Sequence, residues 1–317
     1  MTMQFKPDTL CEDLAGQWPA TGEVIAAVLA DWPQHARYIA KSLNARDQPQ
    51  MATTETLAQA ALVLAGDKRA TIAAHYRWTC DRLREEELYF HREGRYRLST
   101  FEDADREVYS NPDYMEKYMD GLLFSQVVWF NHAASCHFFL TETPRLLQRG
   151  GRLLEIGPGH GLMMALALRD FGLTEAVAWD LSQVSLDQTR HALELLGYRD
   201  CRFAVQNVMH VAPDAEPYDL VVLSEVLEHL EDPKSVMTPL RDLVHPETGL
   251  IFINVPINSP SPDHLYLMQT QDDARALLTE TGFELVNEGF YATQGTALDR
   301  ALRNRVSISA CMLARPV

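Results

Sequence analysis

A strand that ends in an acid and runs straight into three alternating glycines leaves a chain few ways to fold. Residues 152–161, R-L-L-E-I-G-P-G-H-G, are such a stretch. Residues 152–156 read as a short buried strand and residues 162–171 as an apolar helix. Gly157, Gly159 and Gly161 permit a sharp turn and let a ligand lie against bare backbone, and the next helix offers its free amides at the same place. A phosphate-binding dinucleotide loop has the same G-x-G outline, so the glycines alone do not name the ligand. Glu155 does more: a carboxylate just before the turn repels pyrophosphate and suits a cation carrying an ammonium or sulfonium group.

The rest of the chain bounds what can surround that turn. Its 317 residues are enough for two domains, and a hydrophobic content of 46% is ample for a core. The formal net charge of -16 argues against a nucleic-acid partner, because phosphate binding relies on clustered Lys and Arg, and it favours a small-molecule substrate. No apolar run reaches the length of a membrane span, and residues 1–7 lack the basic and apolar regions of an export signal. Cys11, Cys80, Cys136, Cys201 and Cys311 are scattered and never in C-x-x-C spacing, the pattern of reduced thiols in a cytoplasmic protein.

The pattern E-x-G-x-G-x-G over residues 155–161 resembles the first motif of the class I S-adenosylmethionine-dependent methyltransferases, and the residues that follow extend the resemblance. Residues 177–180 look like a second strand ending in Asp180, the acid that would hold the ribose hydroxyls. Residues 203–207 look like the third strand and the adenine-contacting turn. Residues 218–223 look like the fourth strand, residues 249–255 the fifth, and residues 283–291 and 305–314 the terminal antiparallel pair. The resemblance implies an α/β fold, a Rossmann-like seven-stranded methyltransferase sheet over residues 151–317. It implies S-adenosyl-L-methionine as cofactor, with Glu155, Gly157, Pro158, Gly159, Gly161, Asp180, Leu181, Asn207, Val208, Ser224 and Glu225 as the residues expected to contact it.

Before the sheet the texture changes to a mainly helical domain over residues 1–108. Residues 23–29, 54–64 and 68–84 carry apolar side chains at helical spacing, with Thr53 or Thr54 as an N-cap, and residues 87–99 read as a hairpin turning near Gly94. Helices followed by a hairpin resemble a winged-helix unit, which in several small-molecule O-methyltransferases is a dimerisation domain. The alternatives are a helical cap that packs on the catalytic domain and, outside enzymes altogether, the DNA-binding half of a ligand-sensing regulator. Residues 109–150 form linker or lid helices. In them an aromatic helix over residues 113–132 carries Tyr114, Tyr118 and Asn131, which either face the reacting sulfonium or satisfy contacts within the protein.

Methyl transfer from a sulfonium needs an acceptor held in line and, for a hydroxyl, a group that takes or masks its proton. Glu225, Glu228 and His229 form an E-x-x-E-H pattern after the fourth strand, and His264 follows the fifth. At helical spacing Glu225 shares a face with Glu228 and His229. With His264 the four make a candidate site for a divalent metal, resembling the ubiquinone-pathway catechol O-methyltransferases and the small-RNA terminal-ribose methyltransferases. Without metal, His229 or His264 is the base. The leading expectation is methylation of a small-molecule acceptor. The alternative is attack on the amino acid arm of the cofactor, as in azetidine-2-carboxylate synthases or aminocarboxypropyl transferases, with release of methylthioadenosine.

Overall fold

The computed structural model describes residues 4–210 and 216–317, so the first three residues of the expected leaderless start at residues 1–7 lie outside it. The described chain divides into two compact units. The first comprises Met1–His137, Ser259–His264 and Tyr291–Ile308; the second comprises Phe138–Asn258, Leu265–Phe290 and Ser309–Val317. The boundaries therefore differ from those expected. Two short segments from beyond residue 151 join the first unit, and the sheet unit begins within a helix near residue 138 rather than at 151.

The first unit is helical, built on α1 (Leu10–Ala15), α2 (Pro19–Asp31), α3 (Ala36–Asn44), α4 (Gln48–Ala65), α5 (Arg69–Glu93), α6 (Phe101–Ala104), α7 (Pro112–Val128) and the start of α8 (Phe130–Leu146). The N-cap of α4 is Asp47, not Thr53 or Thr54. Asp47 accepts from the Gln50 amide, and the Gln50 side chain accepts from the Asp47 amide in return. The expected hairpin is absent. Residues 87–93 continue α5, because Tyr76 and Phe90 bury along one helical face, and Gly94, at φ 73°, ends the helix as a left-handed cap rather than turning two strands. Without that hairpin the winged-helix reading loses its wing.

The single aromatic helix expected over residues 113–132 is also two. Trp129 is extended (φ -86°, ψ 132°) between α7 and α8, so Asn131 belongs to α8 and the tyrosines to α7. The break has a tertiary cause. Trp129 Nε1 donates to Tyr76 Oη at 2.8 Å, while Ser42 Oγ and Arg46 Nη2 both donate to the Val128 carbonyl, at 2.6 and 3.1 Å. These bonds hold the chain open where helix propensity alone would carry it on.

Close packing of α5 on α7 turns on Gly121. A Cβ there would collide with Thr79 Oγ1 and stand 3.1 Å from the His75 carbonyl, next to a His75–Asp120 contact of 2.7 Å. Gly121→Ala gains helix propensity of about 1 kcal/mol but pays overpacking of up to about 3 kcal/mol. The substitution is expected to destabilise by about 2 kcal/mol in urea unfolding; an unchanged midpoint would mean that the helices separate freely here.

The second unit carries one seven-stranded sheet in the order β3-β2-β1-β4-β5-β7-β6. Its strands are β1 (Arg152–Ile156), β2 (Glu175–Asp180), β3 (Cys201–Val205), β4 (Leu220–Ser224), β5 (Leu250–Ile257), β6 (Phe283–Ala292) and β7 (Ile308–Pro316). β1 pairs in parallel with both β2 and β4, β2 with β3, and β4 with β5. Crossover helices α9 (Leu162–Asp170), α10 (Gln183–Leu195), α11 (Pro233–Leu243) and α12 (Gln271–Thr279) connect them, and α13 (Leu298–Arg303) lies in the Tyr291–Ile308 segment of the first unit. All of β5 is buried, as a strand covered on both faces must be, and Phe252 on it meets Phe139 at 4.8 Å between ring centroids. Strand order reverses between β1 and β4, so the carboxyl ends of β1, β2, β3 and β4 open onto one crevice.

Candidate active site

β1 delivers Glu155 to that crevice. Its neighbours Leu153, Leu154 and Ile156 are buried in the sheet, and Glu155 is only 3% exposed. Burial pushes its carboxyl up to about 8, against the opposing pull of the Met164 amide. Oε2 has no hydrogen-bond partner among the described residues. A buried carboxylate oxygen left this way is costly unless a donor or a cation reaches it. Such an atom would suit the cationic ligand expected beside this acid from the sequence.

The turn favours glycine, since Gly157, Gly159 and Gly161 all have positive φ, at 64°, 54° and 71°. Two bonds fix its shape: the Gly157 amide donates to the Trp179 carbonyl at 2.8 Å, and Thr189 Oγ1 on α10 donates to the Gly159 carbonyl at 2.7 Å. His160 Nδ1 accepts from the Leu162 amide at 3.4 Å, and withdrawal from water holds its imidazole down to about 4, so it is a neutral part of the turn.

At the end of β2 the half-buried Asp180 is already oriented. Oδ1 accepts from the Ser182 amide at 2.9 Å and Oδ2 from Ser185 Oγ at 2.8 Å, which turns a flexible carboxylate into a fixed pair of acceptors. Leu181 follows it, 56% exposed. After β3, Asn207 Oδ1 accepts from the Met209 amide at 2.9 Å and shapes the short turn Val208–His210. Ser182, Ser185 and Thr189 were not among the expected site residues. Their signal was the serine at an N-cap with another one turn later.

The segment after β4 departs from expectation. Glu225 is in the left-handed region (φ 56°) and Leu227–His229 is a single 3-10 turn, so Glu225, Glu228 and His229 do not share a helical face. The cause is Asn254 of β5, opposite Ser224 in the ladder. Its carbonyl accepts from the Glu225 amide at 2.8 Å, and its Nδ2 donates to Glu225 Oε1 at 2.9 Å and Ser224 Oγ at 3.1 Å. Glu225 is thereby committed to Asn254, which sequence reasoning missed. Glu228 is fully buried, with Oε1 3.8 Å from His229 Nε2, so these two of the four expected metal ligands stay together in the second unit. His264 belongs to the first unit.

In the first unit the tyrosines of α7 are side by side, with Tyr114 and Tyr118 ring centroids 6.1 Å apart. The Tyr118 hydroxyl is deep, and burial first, then the nearby Asp263, pushes its pKa well up, so it stays a neutral hydroxyl. It lies 2.5 Å from Ser261 Oγ and donates to Asp263 Oδ1 at 3.0 Å. Tyr109 joins the cluster, its hydroxyl 3.4 Å from Asp263 Oδ2. Asn131 is buried at the head of α8, its carbonyl accepting from Ser135 Oγ.

A family model described as a methyltransferase domain matches residues 130–305, more than half of the chain. The chain is similar to a ubiquinone biosynthesis O-methyltransferase of Neisseria meningitidis serogroup C (strain 053442), 29% identical over 123 residues, 38% of this chain and 50% of that protein. It is similar as well to a protein-L-isoaspartate O-methyltransferase of Chromohalobacter salexigens, 32% identical over 113 residues, 32% of this chain and 45% of that protein. The chain therefore spans about half the length of the curated relatives it matches. Among solved structures it is similar to a SAM-dependent methyltransferase from Methanosarcina mazei, at 14% identity and a TM-score of 0.45, over 56% of this chain and 97% of that one.

Proposed function

The chain belongs to the methyltransferase-domain family, and from that premise we propose that it transfers the methyl group of S-adenosylmethionine to an oxygen of a small-molecule acceptor. The observation that carries the reading is Glu155, a buried carboxylate with an unsatisfied oxygen at the mouth of a glycine turn, on the same strand ends as the pre-oriented Asp180. The curated relatives named as O-methyltransferases support oxygen as the atom modified.

When bound, S-adenosylmethionine supplies an electrophilic methyl and carries its own leaving group. Glu155 would then meet its positive charge and Asp180 would accept from the ribose hydroxyls, while Leu181, Asn207 and Val208 would contact the base. For the acceptor, a histidine must take the hydroxyl proton. We assign that role to His264, whose Nδ1 lies 2.7 Å from the Ser259 carbonyl, an acceptor only, so Nδ1 carries a hydrogen. His229 is the alternative base. Tyr114, Tyr118 and Asn131 are assigned to the acceptor side.

A divalent metal is a second reading, favoured by the burial of Glu228 beside His229. These residues would hold the ion, which would lower the pKa of an acceptor hydroxyl. Glu225, the other expected ligand after the fourth strand, would join this set with Asn254 donating to its Oε1. The proposal carries with it a cytoplasmic location, supported by five cysteines that remain thiols. It also keeps a homodimer formed through the N-terminal helices and no nucleic-acid partner, the latter supported by the net charge of -16. Among the described residues no helix is long and apolar enough to cross a membrane.

The test is to incubate the full chain with S-adenosylmethionine and a panel of phenols and catechols, with and without EDTA, and to identify the nucleoside product by mass spectrometry. S-adenosylhomocysteine together with a methylated acceptor is expected, and His264→Gln should lower turnover by roughly a hundredfold, within the range that general-base catalysis contributes. Methylthioadenosine formed without acceptor would replace methyl transfer with attack on the amino acid arm. Full activity in EDTA and in Glu228→Gln would remove the metal.

A further inference from the structure

In a chain with a net charge of -16, six arginines stand together. Residues 92–97 read R-E-G-R-Y-R and residues 300–305 read R-A-L-R-N-R, the same R-x-x-R-x-R spacing twice, with Glu93 as the one acid among the twelve. Both segments belong to the first unit, and they meet: a Cβ at Gly94, whose φ is 73°, would lie 3.8 Å from Arg305 Nη1. All six arginines are exposed. Helix ends account for half of them. Arg92 is in the last turn of α5, and Arg300 and Arg303 are in the last turn of α13, where a cation suits the helix dipole. Arg95, Arg97 and Arg305 lie past those ends. The guanidiniums of Arg92, Arg95 and Arg97 crowd the ring of Tyr89, at 5.6, 5.6 and 4.4 Å from its centroid. Arg92, Arg97 and Arg303 are paired with Glu93, Glu86 and Asp299, whereas Arg95, Arg300 and Arg305 make no ion pair among the described residues. Arginine beside tyrosine is the composition of interface hot spots.

An acidic stretch lies next to this patch. Residues 102–116 hold six acids and one base, Arg106, which pairs with Asp103 and Glu107. Glu102, Asp105, Asp113 and Glu116 are exposed and make no ion pair among the described residues. The basic and acidic stretches are tied to one short segment of the same unit. The Tyr96 hydroxyl accepts from the Ser259 amide at 3.2 Å, and the Tyr109 hydroxyl lies 3.4 Å from Asp263 Oδ2. Four residues of chain span at most about 14 Å, so the two patches are neighbours. Leu88 and Phe101, 63% and 43% exposed, add apolar surface to them.

We propose that these paired patches are the surface on which two copies of the chain join, the arginines of each copy meeting the acids of the other, twice over, about a twofold axis. A twofold contact requires a self-complementary surface, and a basic patch beside an acidic one is such a surface. The charge of -16 on each copy does not prevent it: at physiological salt, exposed charges more than about 8 Å apart are largely screened, while contacting pairs are not. Arginine matches a carboxylate with two parallel hydrogen bonds, which gives the contact its register. The inference rests on the homodimer proposed above and gives that dimer a surface.

Sedimentation velocity of the full chain over a series of protein concentrations reads the outcome. The wild type should be a dimer. Arg95→Glu with Arg305→Glu, and separately Glu102→Arg with Asp105→Arg, should each raise the dimer dissociation constant by roughly a hundredfold, because like charges then face each other. Mixed in equal amounts, the two double variants should dimerise again, since each reversed patch complements the other; misfolded chains would not recover in this way. A monomeric wild type would overturn the homodimer together with its surface. A wild-type dimer that survives both reversals, or two folded variants that stay monomeric when mixed, would overturn the surface alone. Should either reversal not fold, Arg95→Ala with Arg305→Ala decides: dimerisation about tenfold weaker is expected, and an unchanged dimer would overturn the surface.

Discussion

Asp180→Ala is expected to raise the dissociation constant for S-adenosylmethionine by roughly a hundredfold or more, measured by calorimetric titration. The magnitude follows from what the carboxylate offers. Hydrogen bonds to a charged acceptor are worth roughly 1.5–3 kcal/mol each, and two ribose hydroxyls meeting both oxygens amount to about 3 kcal/mol or more, with 1.4 kcal/mol per factor of ten. Ser182 and Ser185 have already fixed the side chain, so little ordering entropy is lost on binding. Ser185→Ala should weaken binding by less than about tenfold, because it loosens the acceptor without removing it. Asp180 is half-buried and stands at a strand end, so the fold should survive its loss. An affinity within threefold of wild type would place the ribose elsewhere.

The second large effect concerns Glu155 and pH. In the folded chain its carboxyl is raised to about 8 from an ordinary 4.5, so between those values the folded state keeps a proton that the unfolded chain has released. Stability from this group is therefore full below about pH 4.5 and declines as pH rises toward 8, with a limiting slope of about 1.4 kcal/mol per pH unit. Glu155→Gln should abolish the decline. The variant should unfold at nearly the wild-type temperature at pH 5 and be more stable by a few kcal/mol at pH 8. Cofactor binding should run the other way. A cation beside Glu155 favours its charged form, so wild-type affinity for S-adenosylmethionine should strengthen as pH rises toward 8, with a proton released on binding. Glu155→Gln should bind weakly with no such trend. Titration in buffers of different ionisation enthalpy reads the proton directly, and equal proton release by both proteins would remove Glu155 from the linkage.

Most of the sheet was legible because buried parallel strands announce themselves as short apolar runs. β1 begins and ends where the sequence placed it, and Glu155 and Asp180 stand at the strand ends where the motif put them. The misreadings have a common physical source. Gly94 looks the same in a hairpin turn and at the end of a helix, and what distinguishes them is the burial of Phe90 on the helix. The helix over residues 113–132 breaks because Tyr76, Ser42 and Arg46 reach its middle. Glu225 leaves the helical register because Asn254 holds it from the next strand. The last two overrides are hydrogen bonds between residues about thirty or more positions apart, which no local window contains. The Ser259–His264 segment was visible as Asp263-His264 after the fifth strand, but its tyrosine partners were not.

The interleaving of the two units has a consequence for how the chain is made. The helical unit needs residues up to Ile308 and the sheet unit needs residues up to Val317, so neither can close until those residues have been synthesised. The first hundred residues leave the ribosome as helices still lacking the pieces that complete their unit. Their contacts with Ser259 and Asp263 span more than a hundred positions, a topology that slows folding and prolongs exposure of apolar surface. For the same reason, cutting the gene near codon 150 yields two fragments that each lack part of their own unit. Dissection of this protein has to proceed by substitution in the intact chain.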